Sequence, residues 1–210
     1  YGVLLILDEV MCGSGRTGTL FAFEQDAIVP DLVALAKGLA AGYQPIGAVL
    51  LSENIFRAFY DGSGFFQHGH TFMGHATACA AAIVVQQKLQ EPETMATVRR
   101  LGTYFAEGLH GAFDAHPHVG DIRGRGMFRG IELVADRATK EPFDAELRIH
   151  ARVKAAAMDN GLMCYPAGGT IDGRTGDHIL LAPPYIVTES QIDEIVGRLG
   201  VAIDAAVAAS

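Results

Sequence analysis

Apolar residues run without a break over Val3-Leu4-Leu5-Ile6-Leu7 and stop at Asp8-Glu9. A short, unbroken apolar run predicts a strand buried on both faces, as in the middle of a parallel sheet. Such a strand needs a neighbour on each side, and no residues precede it to supply one. The chain is therefore expected to be the C-terminal part of a longer protein. Glycines at 13, 15 and 18 make Cys12–Gly18 a loop. Asp31–Ala36 predicts a second strand and Ile46–Leu51 a third, the latter after the turn-forming Gly42-Tyr43-Gln44-Pro45. Strands joined by loops and short helices, without hairpin signals, predict a parallel α/β sheet.

Further along, the period lengthens. Ala76–Gln90 is alanine-rich and predicts a buried helix, which Pro92 interrupts. Met95, Val98, Leu101, Phe105, Leu109 and Phe113 then recur at three- and four-residue spacing, the apolar stripe of a long helix. Val119–Arg123 and Met127–Val134 read as strands, Asp144–Asp159 as a helix, Leu162–Tyr165 and Ile179–Ala182 as strands. Thr188 and Gln191 form a capping box for a last helix, whose apolar face carries Ile192, Ile195, Val196, Leu199 and Ile203. Three segments follow: residues 1–92 as part of a large domain, 93–116 as an interdomain helix, and 117–210 as a small α+β domain.

Two charges interrupt this pattern where charge is costly. Asp8 closes the first strand, and Lys37 stands alone within Ala34-Leu35-Ala36-Lys37-Gly38-Leu39, at the end of the second. In open parallel sheets, ligands sit outside the carboxyl ends of the strands, so both residues are expected near one crevice. A lysine desolvated by apolar neighbours has a lowered pKa and forms Schiff bases, and a buried carboxylate suits a pyridinium nitrogen. An apolar run ending in Asp-Glu is also found in nucleotide hydrolases. Those need a Gly-x-x-x-x-Gly-Lys-Ser/Thr loop as well, and the chain has none.

Bulk properties narrow the partners. The chain has 210 residues, half of them hydrophobic, and a formal charge of −8, which argues against nucleic acid or an anionic membrane as partner. No apolar stretch approaches the roughly 18 residues of a membrane span. Cys12, Cys79 and Cys164 are too scattered for a disulfide framework, and Tyr1-Gly2 leads into a strand rather than a signal peptide; a cytoplasmic protein is expected. His68, His70 and His75 lack acidic or cysteine companions at ligand spacing, so they read as structural and no metal is expected.

The order of motifs resembles a known family. Asp8-Glu9-Val10-Met11-Cys12-Gly13-Ser14-Gly15-Arg16-Thr17-Gly18, then Pro30-Asp31, Ala36-Lys37-Gly38-Leu39 and Pro45-Ile46-Gly47-Ala48, is similar to the class-III aminotransferases. The likeness continues through His68-Gly69-His70-Thr71-Phe72-Met73-Gly74-His75, Cys79-Ala80-Ala81-Ala82, Gly124-Arg125-Gly126-Met127, Glu132-Leu133-Val134 and Ala182-Pro183-Pro184-Tyr185. It covers almost the whole chain. The resemblance implies fold type I, with pyridoxal 5′-phosphate as cofactor.

By that resemblance Lys37 is the Schiff-base lysine and the later proton carrier, and Asp8 pairs with the protonated ring nitrogen. Val10 packs on a ring face. Thr71 binds the cofactor phosphate across a subunit boundary, which implies a homodimer. Arg174, in Gly173-Arg174-Thr175-Gly176, stands where omega-transaminases carry an arginine that clamps a substrate carboxylate. Arg16 and Arg125 read as structural. Met11 replaces a glutamine common among relatives, which leans toward the omega-amino-acid and amine branches. The implied reaction moves an amino group from an omega-amino acid or amine to a keto acid such as pyruvate. An aminomutase or decarboxylase of the same fold, and a catalytically incomplete fragment, stay open as alternatives. The segment by itself is expected to be inactive, because the family's phosphate loop and ring-stacking aromatic residue are not in it.

Overall fold

A computed structural model describes residues 1–208. The chain divides into two compact units, Tyr1–Ala96 and Thr97–Ser210.

The first unit holds a three-stranded sheet in the order β1 (Ile6–Asp8), β2 (Leu32–Leu35), β3 (Ala48–Leu51). β1 and β2 are parallel, with Asp8 opposite Ala34; β3 runs antiparallel to β2, with Leu35 opposite Ala48. One expectation changes here. The sheet is mixed, because residues 36–47 return the chain without the helical crossover that a parallel neighbour requires. β1 has one paired neighbour among the described residues, and Val3, Leu4 and Ile6 are exposed. Its pairing nonetheless begins before the strand proper, since Asp31 N–H and Leu32 N–H both donate to Leu5 O. Then come α1 (Glu53–Asp61), α2 (Ala76–Leu89) and α3 (Pro92–Phe113), whose later turns belong to the second unit. The alanine-rich α2 is less buried than its composition suggests; Ala78, Ala82 and Leu89 are its buried residues.

The second unit is an antiparallel sheet in the order β4 (Val119–Arg125), β5 (Phe128–Leu133), β7 (Asp177–Leu181), β6 (Tyr165–Gly168), with α4 (Ile149–Asp159) and α5 (Glu189–Ala208) packed together. Ile131, Leu133, Ile179 and Leu181 share one buried sheet face, and Val98, Leu101, Phe105 and Leu109 of α3 are equally sealed. The other face is charged: Arg123 donates to Asp121 at 2.6 Å and to Glu132 at 2.8 Å. The capping box is present as expected. Thr188 N–H donates to Gln191 Oε1 at 2.9 Å, and Gln191 N–H donates to Thr188 Oγ1 at 3.2 Å.

The helix expected over 144–159 is broken. Arg148 takes φ +49°, leaving a single 3-10 turn over Ala145–Leu147 before α4. Buried Asp177 then serves the start of α4, accepting from His150 N–H at 2.9 Å and from the His150 ring. The strand expected at 162–165 also shifts onward, to Tyr165–Gly168, where it pairs with β7.

Candidate active site

Because β1 and β2 are parallel and in register, Asp8 and Lys37 emerge at the same end of the sheet. Asp8 is the last residue of β1, and Lys37 follows the end of β2 by two residues. Neighbouring strands lie about 4.8 Å apart, so the two side chains start from adjacent chain ends. Asp8 Oδ1 accepts from Val10 N–H at 2.9 Å, which turns the backbone at the strand end and fixes one carboxylate oxygen.

Lys37 opens a 3-10 turn, Lys37–Leu39, with φ +43°. That left-handed conformation is unfavourable for a lysine and persists only where its surroundings enforce it. The enforcement is visible. Leu39 N–H donates to Ala36 O at 2.9 Å, and the Gln86 side chain donates to Leu39 O at 3.0 Å. A Cβ on Gly38 would lie 2.8 Å from Ser14 Cβ, so only glycine fits beside the loop there.

The desolvation expected for the two charges is not supplied by this chain. Asp8 and Lys37 are both exposed, and no hydrogen bond or ion pair engages the Lys37 ammonium among the described residues. The apolar neighbours of Lys37 point elsewhere: Val33, Leu35 and Ala40 are buried while the lysine sits on the turn between them. Val10 is half-buried, and Thr71 is exposed in the turn that precedes α2.

Arg174 belongs to the second unit. It is exposed at the tip of the β6–β7 hairpin, in a turn organised by Asp172. The Asp172 carboxylate accepts from Arg174 N–H at 2.9 Å, from Thr175 N–H at 2.7 Å and from the Thr175 hydroxyl at 3.0 Å. These bonds, the Thr175 amide first, hold its carboxyl below the ordinary range.

One residue escaped sequence reasoning. Glu9, beside Asp8, is a carboxylate only 3% exposed, bonded to the amides of Ala22 and Phe23 at 2.9 and 3.0 Å. The available signal was an acid placed directly after the strand-end aspartate. Its partners, 13 and 14 residues away, could not be read from local pattern. Cys12 donates to the same carboxylate at 3.4 Å. Burial first, then the Glu9 charge, pushes the Cys12 thiol up to about 11. Among the described residues no group of three or more His, Cys, Asp or Glu could hold a metal ion, and no helix is long and apolar enough to cross a membrane.

The donor set fits pyridoxal phosphate: a carboxylate for a protonated ring nitrogen, an amine for an aldehyde and a hydroxyl for a phosphate. Comparison with known proteins agrees. A family profile described as aminotransferase class-III matches residues 1–203. An uncharacterized aminotransferase of Schizosaccharomyces pombe is 46% identical over 209 residues, covering 100% of this chain and 46% of the relative. A chloroplastic gamma aminobutyrate transaminase 3 of Solanum lycopersicum is 39% identical, covering 97% of this chain and 38% of its own length. Among solved structures, a transaminase from the marine bacterium Virgibacillus superposes with TM-score 0.90 at 33% identity, over 100% of this chain and 47% of that one. A pyridoxal-phosphate-bound aminotransferase mutant from Vibrio fluvialis superposes with TM-score 0.89 at 34% identity, over 99% and 44%. The chain thus spans about half the length of the curated relatives it matches. The family match and the cofactor-bound neighbour indicate pyridoxal phosphate as the cofactor.

Proposed function

The chain belongs to the class-III aminotransferase family, and from that premise we propose that it contributes the covalent anchor of a transaminase acting on an omega-amino acid or amine and a keto acid such as pyruvate. Its fold is that of the fold type I pyridoxal-phosphate transferases. The observation that carries the proposal is the emergence of Asp8 and Lys37 at the ends of adjacent parallel strands.

When bound, pyridoxal phosphate supplies an electron sink for the substrate carbon. The chain's residues do the rest. Lys37 Nζ would hold the cofactor through its amine and, when free, would carry the proton at the substrate carbon. Asp8 holds the ring nitrogen protonated, with one oxygen already fixed by the Val10 amide. Val10 covers a ring face. The Thr71 hydroxyl takes the phosphate in a homodimer whose sites are shared between subunits. Arg174 receives a substrate carboxylate through its planar fork.

The test is spectroscopic and chemical, on the full-length gene product that carries this segment. Wild-type protein should bind pyridoxal phosphate covalently and transfer an amino group to pyruvate, read by mass spectrometry. Lys37→Ala should lose the covalent linkage and all detectable transfer. Covalent attachment that survives in Lys37→Ala would overturn the assignment of the lysine; wild type without net transfer would overturn the transaminase reading.

A further inference from the structure

We propose that Glu9 is a positioning residue that holds the Asp8 strand end and the Lys37 turn at one fixed separation. It takes that role only if Asp8 and Lys37 hold the cofactor as proposed above.

Glu9 sits where three chain segments meet. Its backbone N–H donates to Ala34 O at 2.9 Å, tying the end of β1 to the end of β2 just before Lys37. Its backbone O accepts from Gly13 N–H at 2.9 Å, folding the glycine-rich loop back on the strand end. Gly13 is required there, because a Cβ would lie 2.6 Å from that same oxygen. The next residue, Ser14, is buried at φ +54° and abuts Gly38, the neighbour of Lys37. The Glu9 side chain completes the arrangement from within, with Ala22 N–H on Oε2, Phe23 N–H on Oε1 and the Cys12 thiol on Oε2. A carboxylate is costly to bury and tolerates few positions once its oxygens are bonded to backbone amides. One residue therefore holds the loop between Asp8 and Lys37, its backbone at Ala34 and Gly13 and its side chain at Cys12, Ala22 and Phe23. Catalytic groups misplaced by as little as ~1 Å lose much of their effect, so fixing this separation bears directly on the chemistry.

The experiment compares the full-length wild-type gene product with its Glu9→Gln and Ala22→Pro variants. Glutamine keeps one acceptor oxygen but turns an amide donor toward a backbone N–H. Ala22→Pro leaves Glu9 intact and deletes one of its donors. Proline suits that position, the first of a 3-10 turn (Ala22–Asp26) preceded by Phe21 in extended backbone at φ −116°. In Glu9→Gln the dissociation constant for pyridoxal phosphate should rise about tenfold, with about threefold for Ala22→Pro. Amide hydrogen exchange of the cofactor-free proteins should accelerate at Val10, Gly13 and Leu39 while Val33 and Leu35 of β2 keep their protection. If Glu9→Gln fails to fold, Ala22→Pro carries the test. Unchanged cofactor affinity in the folded variants, or exchange that rises uniformly through β2 without a change in affinity, would overturn the positioning role and leave Asp8 and Lys37 in place. Wild type that takes up no pyridoxal phosphate would overturn both.

Discussion

In β5 and β7 of the second unit, Ile131, Leu133, Ile179 and Leu181 are at most 4% exposed, whereas β1 and β3 of the first unit, no less apolar in sequence, leave Ile6 65% and Val49 60% exposed. The contrast extends to helices. Phe105 and Leu109 of α3 are completely buried, while Phe56, Phe59 and Tyr60 of α1 stand open. Equal hydrophobicity thus yields a closed core in one unit and an open apolar surface in the other. The open surface belongs to a chain that spans about half the length of the relatives it matches. The residues proposed for cofactor chemistry lie in the open unit, ordered locally by hydrogen bonds rather than by a surrounding core.

This contrast can be broken by substitution. Phe105→Ala removes a fully sealed ring and should cost about 3–5 kcal/mol in denaturant unfolding of the 210-residue chain. The island around Glu9 is one place where the open unit behaves like a closed one. Cys12, raised to about 11, stays protonated at pH 8, so iodoacetamide should label it on the order of 100-fold more slowly than an unperturbed cysteine. Labelling at the ordinary rate would show that the island is loose. Gly102→Ala should cost about 1–3 kcal/mol, because its Cβ would lie 2.6 Å from the Gly126 backbone. Gly69→Ala in the first unit should stay within about 0.5 kcal/mol, since the nearest obstacle is the free end of exposed Met73. Thr188→Ala, which removes the cap of α5, should cost about 1 kcal/mol. Smallest of all, Ile6→Ala should change the stability of this chain by no more than about 0.5 kcal/mol. A larger loss at Ile6 would mean that β1 is covered, and the contrast would fail.

A pH titration sharpens the same comparison at the Arg174 hairpin. Asp172 has a lowered carboxyl, so its bonds are complete above the ordinary carboxylate range and are lost only as pH falls through the depressed value. The Thr175 amide resonance should therefore stay unchanged on acidification until below that range, and then shift.

What could be read from the sequence was what short spacing determines. The Thr188–Gln191 cap closes over three residues, and the apolar stripe of α3 repeats every turn; both are present as expected. The strand ends at Asp8 and near Lys37 were legible because an apolar run stops there. The direction of β3 was not, since nothing in residues 46–51 says which neighbour they will meet or in which sense. Arg148 at φ +49° breaks a helix that its side-chain pattern would continue, and the acid serving the new helix start, Asp177, lies far along the chain. Glu9 was illegible for the same reason: its bonds belong to the fold, and its spelling is that of any strand-end acid.

The left-handed turn at Lys37 has an evolutionary corollary. Glycine would occupy φ +43° without strain, and asparagine nearly so, which makes lysine a poor choice by every criterion except its amine. Drift toward greater robustness at this position would lead away from lysine. A sequence that keeps lysine there does so against the preference of its own backbone.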